Sequence, residues 1–335
     1  MQLYQAMNTT GRLFRVSIFG ESHGVHVGVL VDGCPAGILL TAADFMPDLE
    51  RRKSGQPGTT PRTEDDLPLI ESGLQDGTTT GAPILIRFLN KNTQSKEYEL
   101  LTAHPRPGHA DFAAHVKFGG YAATAGGGMF SGRLTLGLVA AGVLAKKIIQ
   151  PVSIHAQLTE AGGSTDIEAA VRQAVEARDS IGGIVECRAA GLPAGLGEPF
   201  FDSVESLISH LAFSIPAVKG IEFGSGFAAA MMRGSEHNDP ILNAGGTTAS
   251  NNAGGINGGI TNGNELVFRV AVKPTSSIGK PQISFHLGEQ KSKTMEIHGR
   301  HDACIALRVP VVLESITAIA LADCMLIAQQ RKPIF

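Results

Sequence analysis

Three histidines, His23, His109 and His301, sit in loops punctuated by glycine or proline and beside polar partners. The segments are Gly20-Glu21-Ser22-His23-Gly24, Arg106-Pro107-Gly108-His109-Ala110-Asp111 and Gly299-Arg300-His301-Asp302. An imidazole so placed titrates near neutral pH and can carry a proton, although a loop histidine is more often a surface or capping residue. Asp302 follows His301 directly, and a loop can present both to one pocket, which makes Asp302 a candidate base. Arg51, Arg52, Arg62, Arg106, Arg133 and Arg300 share this loop context. Guanidinium forks converging on one place suit a ligand carrying both phosphate and carboxylates, whereas each arginine taken singly reads equally well as solvated surface charge.

Two glycine-rich stretches add backbone to this set. Ser250-Asn251-Asn252-Ala253-Gly254-Gly255-Ile256-Asn257-Gly258-Gly259-Ile260-Thr261-Asn262-Gly263 is too rich in glycine and asparagine for a helix or an ordinary strand. It reads either as a hairpin of tight turns or as a cradle for a flat polar ring or an anion. Gly126-Gly127-Gly128-Met129-Phe130-Ser131-Gly132-Arg133 opens the apolar run Leu134 to Ile149, and a glycine run entering a helix N-terminus is a natural anion site or a packing device. No H-E-x-x-H, C-x-x-C or G-x-S-x-G motif is present, and Ser22 and His23 are neighbours that project apart, so metal and serine-nucleophile mechanisms are disfavoured.

The elements that must position these loops follow from the apolar pattern. Strands are expected at Leu13 to Phe19, Val25 to Val31, Ala82 to Leu89, Ile184 to Ala190, Leu266 to Val272 and Gln282 to Leu287. Helices are expected from Thr41 with Asp44 as cap toward Arg51, from about Ala110, over Leu134 to Ile149, from Asp202 with Glu205 through His210, and over Val311 to Ile327. Gly33-Cys34-Pro35-Ala36-Gly37 and Gly191-Leu192-Pro193-Ala194-Gly195 each follow a strand and precede an acid-capped helix, which suggests an internal duplication of an α+β unit.

The 335 residues are 43% hydrophobic and 18% charged, with a formal net charge of −3. That balance gives ample core, and without a basic surplus it excludes bulk electrostatic binding to nucleic acid or an anionic membrane. The four cysteines, Cys34, Cys187, Cys304 and Cys324, are scattered in apolar surroundings, which fits a reducing cytoplasm without a structural zinc site. The start lacks a basic region followed by an apolar core, and no uncharged run reaches the roughly 18 residues of a spanning helix. A cytoplasmic protein with one compact unit over residues 1–335 is expected, residues 1–10 being an extension.

The ordered motifs resemble those of chorismate synthases. The resemblance rests on Phe14-Arg15-Val16 with the Gly20–Gly24 turn, Arg51-Arg52, the Arg106–Asp111 segment, Ala140-Ala141-Gly142 with Ala145-Lys146-Lys147, Ser250–Gly255, Lys273-Pro274-Thr275 and Gly299–Asp302, spanning Gly11 to about Ala328. It implies a 1,4-anti elimination of phosphate from 5-enolpyruvylshikimate 3-phosphate, giving chorismate, with reduced FMN required although nothing is oxidised overall. The electron-rich flavin would assist C–O cleavage and its N5 would receive the ring proton. By the family pattern His23 protonates the departing phosphate, His109 sits against the flavin, and Asp302 assists proton removal through flavin N5. Flavin contacts are implied at Met129, Phe130, Ser131, Arg133, Pro216, Ala217, Ser250, Asn251, Asn252, Gly258, Lys273, Pro274, Thr275, Ser276, Ser277, Arg300 and His301. Anion contacts are implied at Ser22, Arg51, Arg52, Arg62 and Arg106.

The resemblance further implies an α+β fold, a β-α-β sandwich of antiparallel sheets around helices, and a homotetramer. NADPH or an external flavin reductase would supply the electrons, and the sequence leaves that choice open. The chain departs from the family at Ala125, Met129 and Phe130, where arginines flanking the glycines and a serine pair are common. It departs again in the shorter loop Lys53–Gly58 and at Ala303 in place of proline. These changes place a larger share of flavin binding on Asn251, Asn252 and the backbone around Gly258, and they motivate the alternative of a flavin- or phosphate-binding homologue without the chemistry.

Overall fold

The computed structural model describes residues 7–92, 103–297 and 301–330. One antiparallel sheet contains β1 (Thr9–Thr10), β2 (Arg15–Gly20), β3 (His26–Asp32), β4 (Leu69–Ile70) and β5 (Ile84–Leu89), in the order β1-β2-β3-β5-β4. A second contains β6 (Ser153–Ala161), β7 (Gly183–Ala190), β8 (Val218–Phe223) and β9 (Leu266–Val272), in the order β8-β9-β7-β6. Strict alternation explains the inner faces: Ile84, Ile86 and Phe88 on β5, and Leu266, Phe268, Val270 and Val272 on β9, are buried while their neighbours are not.

The α-helices longer than one turn, among the described residues, are α1 (Ala42–Arg52), α2 (Asp111–Lys117), α3 (Thr135–Ile148), α4 (Ile167–Glu176), α5 (Val204–Ala212) and α6 (Val309–Gln330). Helices α3 and α6 are apolar on nearly every side, so both are buried rather than surface-mounted. They pack on each other, α3 also against β2 and β3, and α6 against β6 and β7. Their approach is close because Gly142 faces Ser315: an added Cβ there would stand 2.4 Å from the Ser315 Cβ. Helix α6 is long and apolar enough to cross a membrane, yet 78% of its apolar window is buried inside the protein, so it is a core helix. Its two acids are held by protein groups. Asp323 accepts the N–H groups of Arg12, Leu13 and Phe14, and Glu314 is bound by Arg51 and Lys146.

The two halves share a connectivity. The run β2-β3-β5-β4 in one sheet recurs as β6-β7-β9-β8 in the other. The paired G-x-P-A-G turns are built alike around a buried threonine. Thr79 donates its hydroxyl to Pro35 O and accepts the Ile38 N–H, and Thr261 does the same with Pro193 O and Leu196 N–H, all four bonds between 2.7 and 2.9 Å. Gly37 and Gly195, at φ +92° and +100°, each donate to the carbonyl of that threonine at 2.8 Å.

Most expected elements recur within one to three residues of their predicted ends. One cap differs: Ser203, not Asp202, caps α5 by accepting the Ser206 N–H, while Asp202 pairs with Arg12. The pattern missed β6, α4 and β8. β6 lies at a sheet edge with polar residues through its length, and β8 carries Lys219, Gly220 and Glu222.

Candidate active site

Loops from both halves meet beside the N-terminal ends of α3 and α6. They enclose a cavity of about 180 Å³ lined by Arg52, Arg62, Arg106, Arg133 and Arg308, with Lys53, His301 and three acids, Glu64, Asp66 and Asp302. A second space of about 450 Å³ adjoins it across Gly126, Ser131, Gly132, Thr275, Ser277 and Ile305, and is walled by His109, Met129, Phe130, Phe213, Pro216 and Ala217. Ser22 lines the first, and Lys273 and Ser276 the second.

The arginines are fixed before any ligand arrives. Arg52 ends α1, is 3% exposed, and donates Nη2 to Asp66 at 2.8 Å. Burial pushes its guanidinium down to about 10, which still leaves it charged at neutral pH. Arg133 bridges Asp66, Asn90 Oδ1 and the Leu89 carbonyl. Burial alone would raise the Asp66 carboxyl, but the flanking Arg52 and Arg133 hold it below the usual carboxylate range. Arg62 reaches Ser22 and Glu64, and Arg308 joins the Arg52 carbonyl to Asp302, whose Oδ1 also accepts the Thr60 N–H at 3.0 Å. Arg52 Nε and Nη1, Arg62 Nε and Thr275 Oγ1 are buried yet have no hydrogen-bond partner among the described residues. Buried donors are rarely left so, and four around one cation-rich cavity fit an anionic ligand.

The histidines flank the glycine loop. Gly126, Gly127 and Gly128 all have positive φ, at +60°, +84° and +52°. A Cβ on Gly126 would lie 2.6 Å from His23 Cδ2 and Nε2, so only glycine leaves room for that imidazole. His109 stands on the other side, its Nε2 3.7 Å from where a Gly127 Cβ would be. Its Nδ1 lies 2.6 Å from Asp111 Oδ1 and 3.1 Å from Arg106 Nη2; Nη2 already donates to Asp111 Oδ1, and the shorter contact to the carboxylate assigns the proton to Nδ1. Asp111 is itself gripped by Arg106 through Nε at 2.7 Å and Nη2 at 2.8 Å. The Lys273–Ser277 loop secures this arrangement: Lys273 and Ser276 donate to the Gly108 carbonyl, and Ser277 Oγ accepts Arg106 Nη1.

Several expected site residues lie elsewhere. Arg51 forms a two-toothed pair with buried Glu314 at 2.6 and 2.8 Å, because it faces the helix layer while the next residue along α1, Arg52, faces the cavity. Ser250 and Asn252 are tied to Asp239, Asn251 donates to the Glu265 carbonyl, and Gly258 turns the short ribbon Ile256–Asn257/Ile260–Thr261. None of these lines either cavity; most of their polar groups are taken up by Asp239 and the Glu265 carbonyl, while Asn251 Oδ1 is buried without a partner among the described residues. Arg300 lies outside the described residues. Asn90, Asp66, Asp111 and Arg308 were missed. Asp111 was legible as the acid two residues after His109, whereas Asn90 and Asp66 carry no local signal.

An arginine-lined cavity opening onto a histidine-bearing one, mounted on two antiparallel sheets and a buried helix pair, defines an α+β enzyme for a small, multiply anionic substrate. A profile of the chorismate synthase family matches residues 14–326. A chorismate synthase of Chitinophaga pinensis is 62% identical over 98% of this chain and 99% of its own length. Those of Dehalococcoides mccartyi and Thermococcus kodakarensis are 45% and 42% identical, each over 94% of this chain and 96% and 97% of their own lengths. A crystal structure of chorismate synthase superposes with a TM-score of 0.73 and 26% identity, covering 95% of this chain and 93% of that one. The chain belongs to the chorismate synthase family.

Proposed function

We propose that this protein converts 5-enolpyruvylshikimate 3-phosphate to chorismate by 1,4-anti elimination. The C–O bond to phosphate breaks, a ring C–H bond gives up its proton, the ring double bond between the two carbons shifts to leave a conjugated pair of double bonds, and nothing is oxidised overall. The observation that carries this reading is the set of unpartnered buried donors on Arg52, Arg62 and Thr275 in a cavity of arginines. A substrate with one phosphate and two carboxylates matches that charge. Full-length relatives named for the activity speak against a homologue without the chemistry.

The adjoining cavity fits FMN: Met129, Phe130, Phe213, Pro216 and Ile305 offer apolar walls for a flat ring, and Thr275, Ser276 and Ser277 offer hydroxyls at its edge. Reduced flavin, when bound, supplies the electron density that helps the phosphate leave. The protein's part is to hold and move protons. Arg52, Arg106 and Arg133 seat the anionic groups, and His23 at the Gly126 turn protonates the departing phosphate. His109, with Nδ1–H given to Asp111, presents Nε2 as the atom that accepts and returns a proton. Asp302, oriented by the Thr60 N–H and Arg308, is the carboxylate that assists removal of the ring proton.

The recurring strand order and the matched threonine turns support a β-α-β sandwich made by internal duplication, acting as one domain. We place it in the cytoplasm as a homotetramer, with electrons for FMN from NADPH or an external reductase. Anaerobic incubation with the enolpyruvyl substrate and photoreduced FMN should yield chorismate and phosphate in equal amounts. Flavin binding without phosphate release would overturn the assignment, and adding NADPH without any reductase separates the two electron sources.

A further inference from the structure

We propose that Asp66 is a positioning residue that sets the spacing of Arg52 and Arg133 and thereby the affinity of the cavity for its phosphate-bearing ligand. This rests on the functional reading above and extends it to a residue that the chemistry does not itself require.

Three consecutive acids perform three separate tasks. Glu64 holds Arg62 and accepts the backbone N–H groups of Lys91 and Asn92, exposed Asp65 pairs with Lys91, and Asp66 turns inward between Arg52 and Arg133. The inward turn depends on the backbone. Asp66 adopts φ +53°, one of five non-glycine residues with positive φ among those described, while being 3% exposed. Such a conformation is uncommon outside glycine, is tolerated best by Asp and Asn, and persists where its surroundings enforce it.

Two guanidinium groups this close repel one another, and a single carboxylate offering one oxygen to each holds them together in a fixed relation. Arg52 spends only Nη2 on Asp66, so Nε and Nη1, both buried and without a partner among the described residues, are the donors left for a ligand. Arg133 is oriented a second time by Asn90, whose amide also donates to the Glu21 and Gly24 carbonyls of the turn carrying His23. Asp66 therefore stands where the anion-binding arginines and the His23 turn are tied into one frame.

Charge and position predict opposite outcomes on substitution. If Asp66 only dilutes positive charge, Asp66→Asn makes the cavity more cationic, so substrate and inorganic phosphate bind more tightly. If it positions the pair, both bind more weakly. We expect Asp66→Asn, which tolerates the same backbone, to raise KM roughly tenfold with a smaller change in kcat, and to weaken inorganic phosphate in calorimetry by a similar factor. Asp66→Glu keeps the charge and displaces the arginines, so it should raise KM as well, and it serves if the asparagine variant folds poorly. Tighter or unchanged phosphate binding in folded Asp66→Asn, or unchanged KM in Asp66→Glu, overturns the proposal. The phosphate titration needs no turnover, so a failure of the assigned reaction in the unaltered protein remains distinguishable from a failure of the role given to Asp66.

Discussion

His109 and Asp111 are joined through Nδ1 and Oδ1 at 2.6 Å, two residues apart across the start of α2, and this contact decides which imidazole nitrogen faces the cavity. Asp111→Asn should therefore lower turnover, because an amide can present its N–H to Nδ1 and reverse the tautomer. His109→Ala should lower kcat by about two orders of magnitude, as for loss of a general acid or base. Steady-state kinetics on both variants, folded by circular dichroism, checks this, and unchanged turnover in His109→Ala removes that residue from the mechanism.

Asp111 also makes acid stability predictable. Burial would raise its carboxyl, but hydrogen bonds from Arg106 and His109 outweigh it and hold the folded group far below the ordinary value. A depressed carboxylate contributes stability that is fully present above the unfolded value, about 3.9, and is lost as pH falls through the folded one. Asp111→Asn should be less stable by about 3 kcal/mol at neutral pH, with the gap to the unaltered protein narrowing below about pH 4. Urea unfolding at several pH values measures it; a gap that widens with acid contradicts the assignment.

Gly126→Ala places a methyl group 2.6 Å from His23 Nε2 and 2.8 Å from Ser22 Oγ at a φ of +60°. The imidazole must move, so kcat should fall roughly a hundredfold while phosphate affinity changes little. A fall in phosphate affinity equal to the fall in kcat would show that the loop shapes the anion cavity instead.

Glu314 is a structural acid, held by Arg51, Lys146 and the Ala156 N–H within the helix layer. Glu314→Ala leaves Arg51 and Lys146 with only Asp48 between them and the Ala156 N–H without its acceptor, and should destabilise by about 1–3 kcal/mol, seen as a lower Tm with KM unchanged. Arg51→Ala should behave the same way, more weakly because Arg51 is partly exposed; a raised KM would return Arg51 to the anion site.

The matched threonines give a test of equivalence between the halves. Thr79→Val and Thr261→Val each remove a buried hydroxyl that donates to a proline carbonyl and accepts an amide. Both should destabilise by about 1–3 kcal/mol and leave turnover intact. Unequal effects, one near zero, would mean that only one turn depends on the hydroxyl.

The sequence by itself determined the elements whose apolar pattern is strong and the types of chemistry at hand. Short apolar runs rich in β-branched and aromatic residues marked β5 and β9, longer apolar runs marked α3 and α6, and glycine or proline marked the loops carrying His23, His109 and Asp302. Edge strands such as β6, polar along much of their length, gave no such signal. Only the tertiary structure decided which arginines meet. Arg51 and Arg52 are adjacent and alike in composition, yet α1 turns by about 100° per residue, so one faces Glu314 in the helix layer and the other Asp66 in the cavity. The same reason explains Ser250 to Asn252: their polar groups suited a ligand, and the fold ties Ser250 and Asn252 to Asp239 and the Asn251 amide N–H to the Glu265 carbonyl. Residue type fixes what a side chain can bind, and the packing of distant segments fixes what it finds.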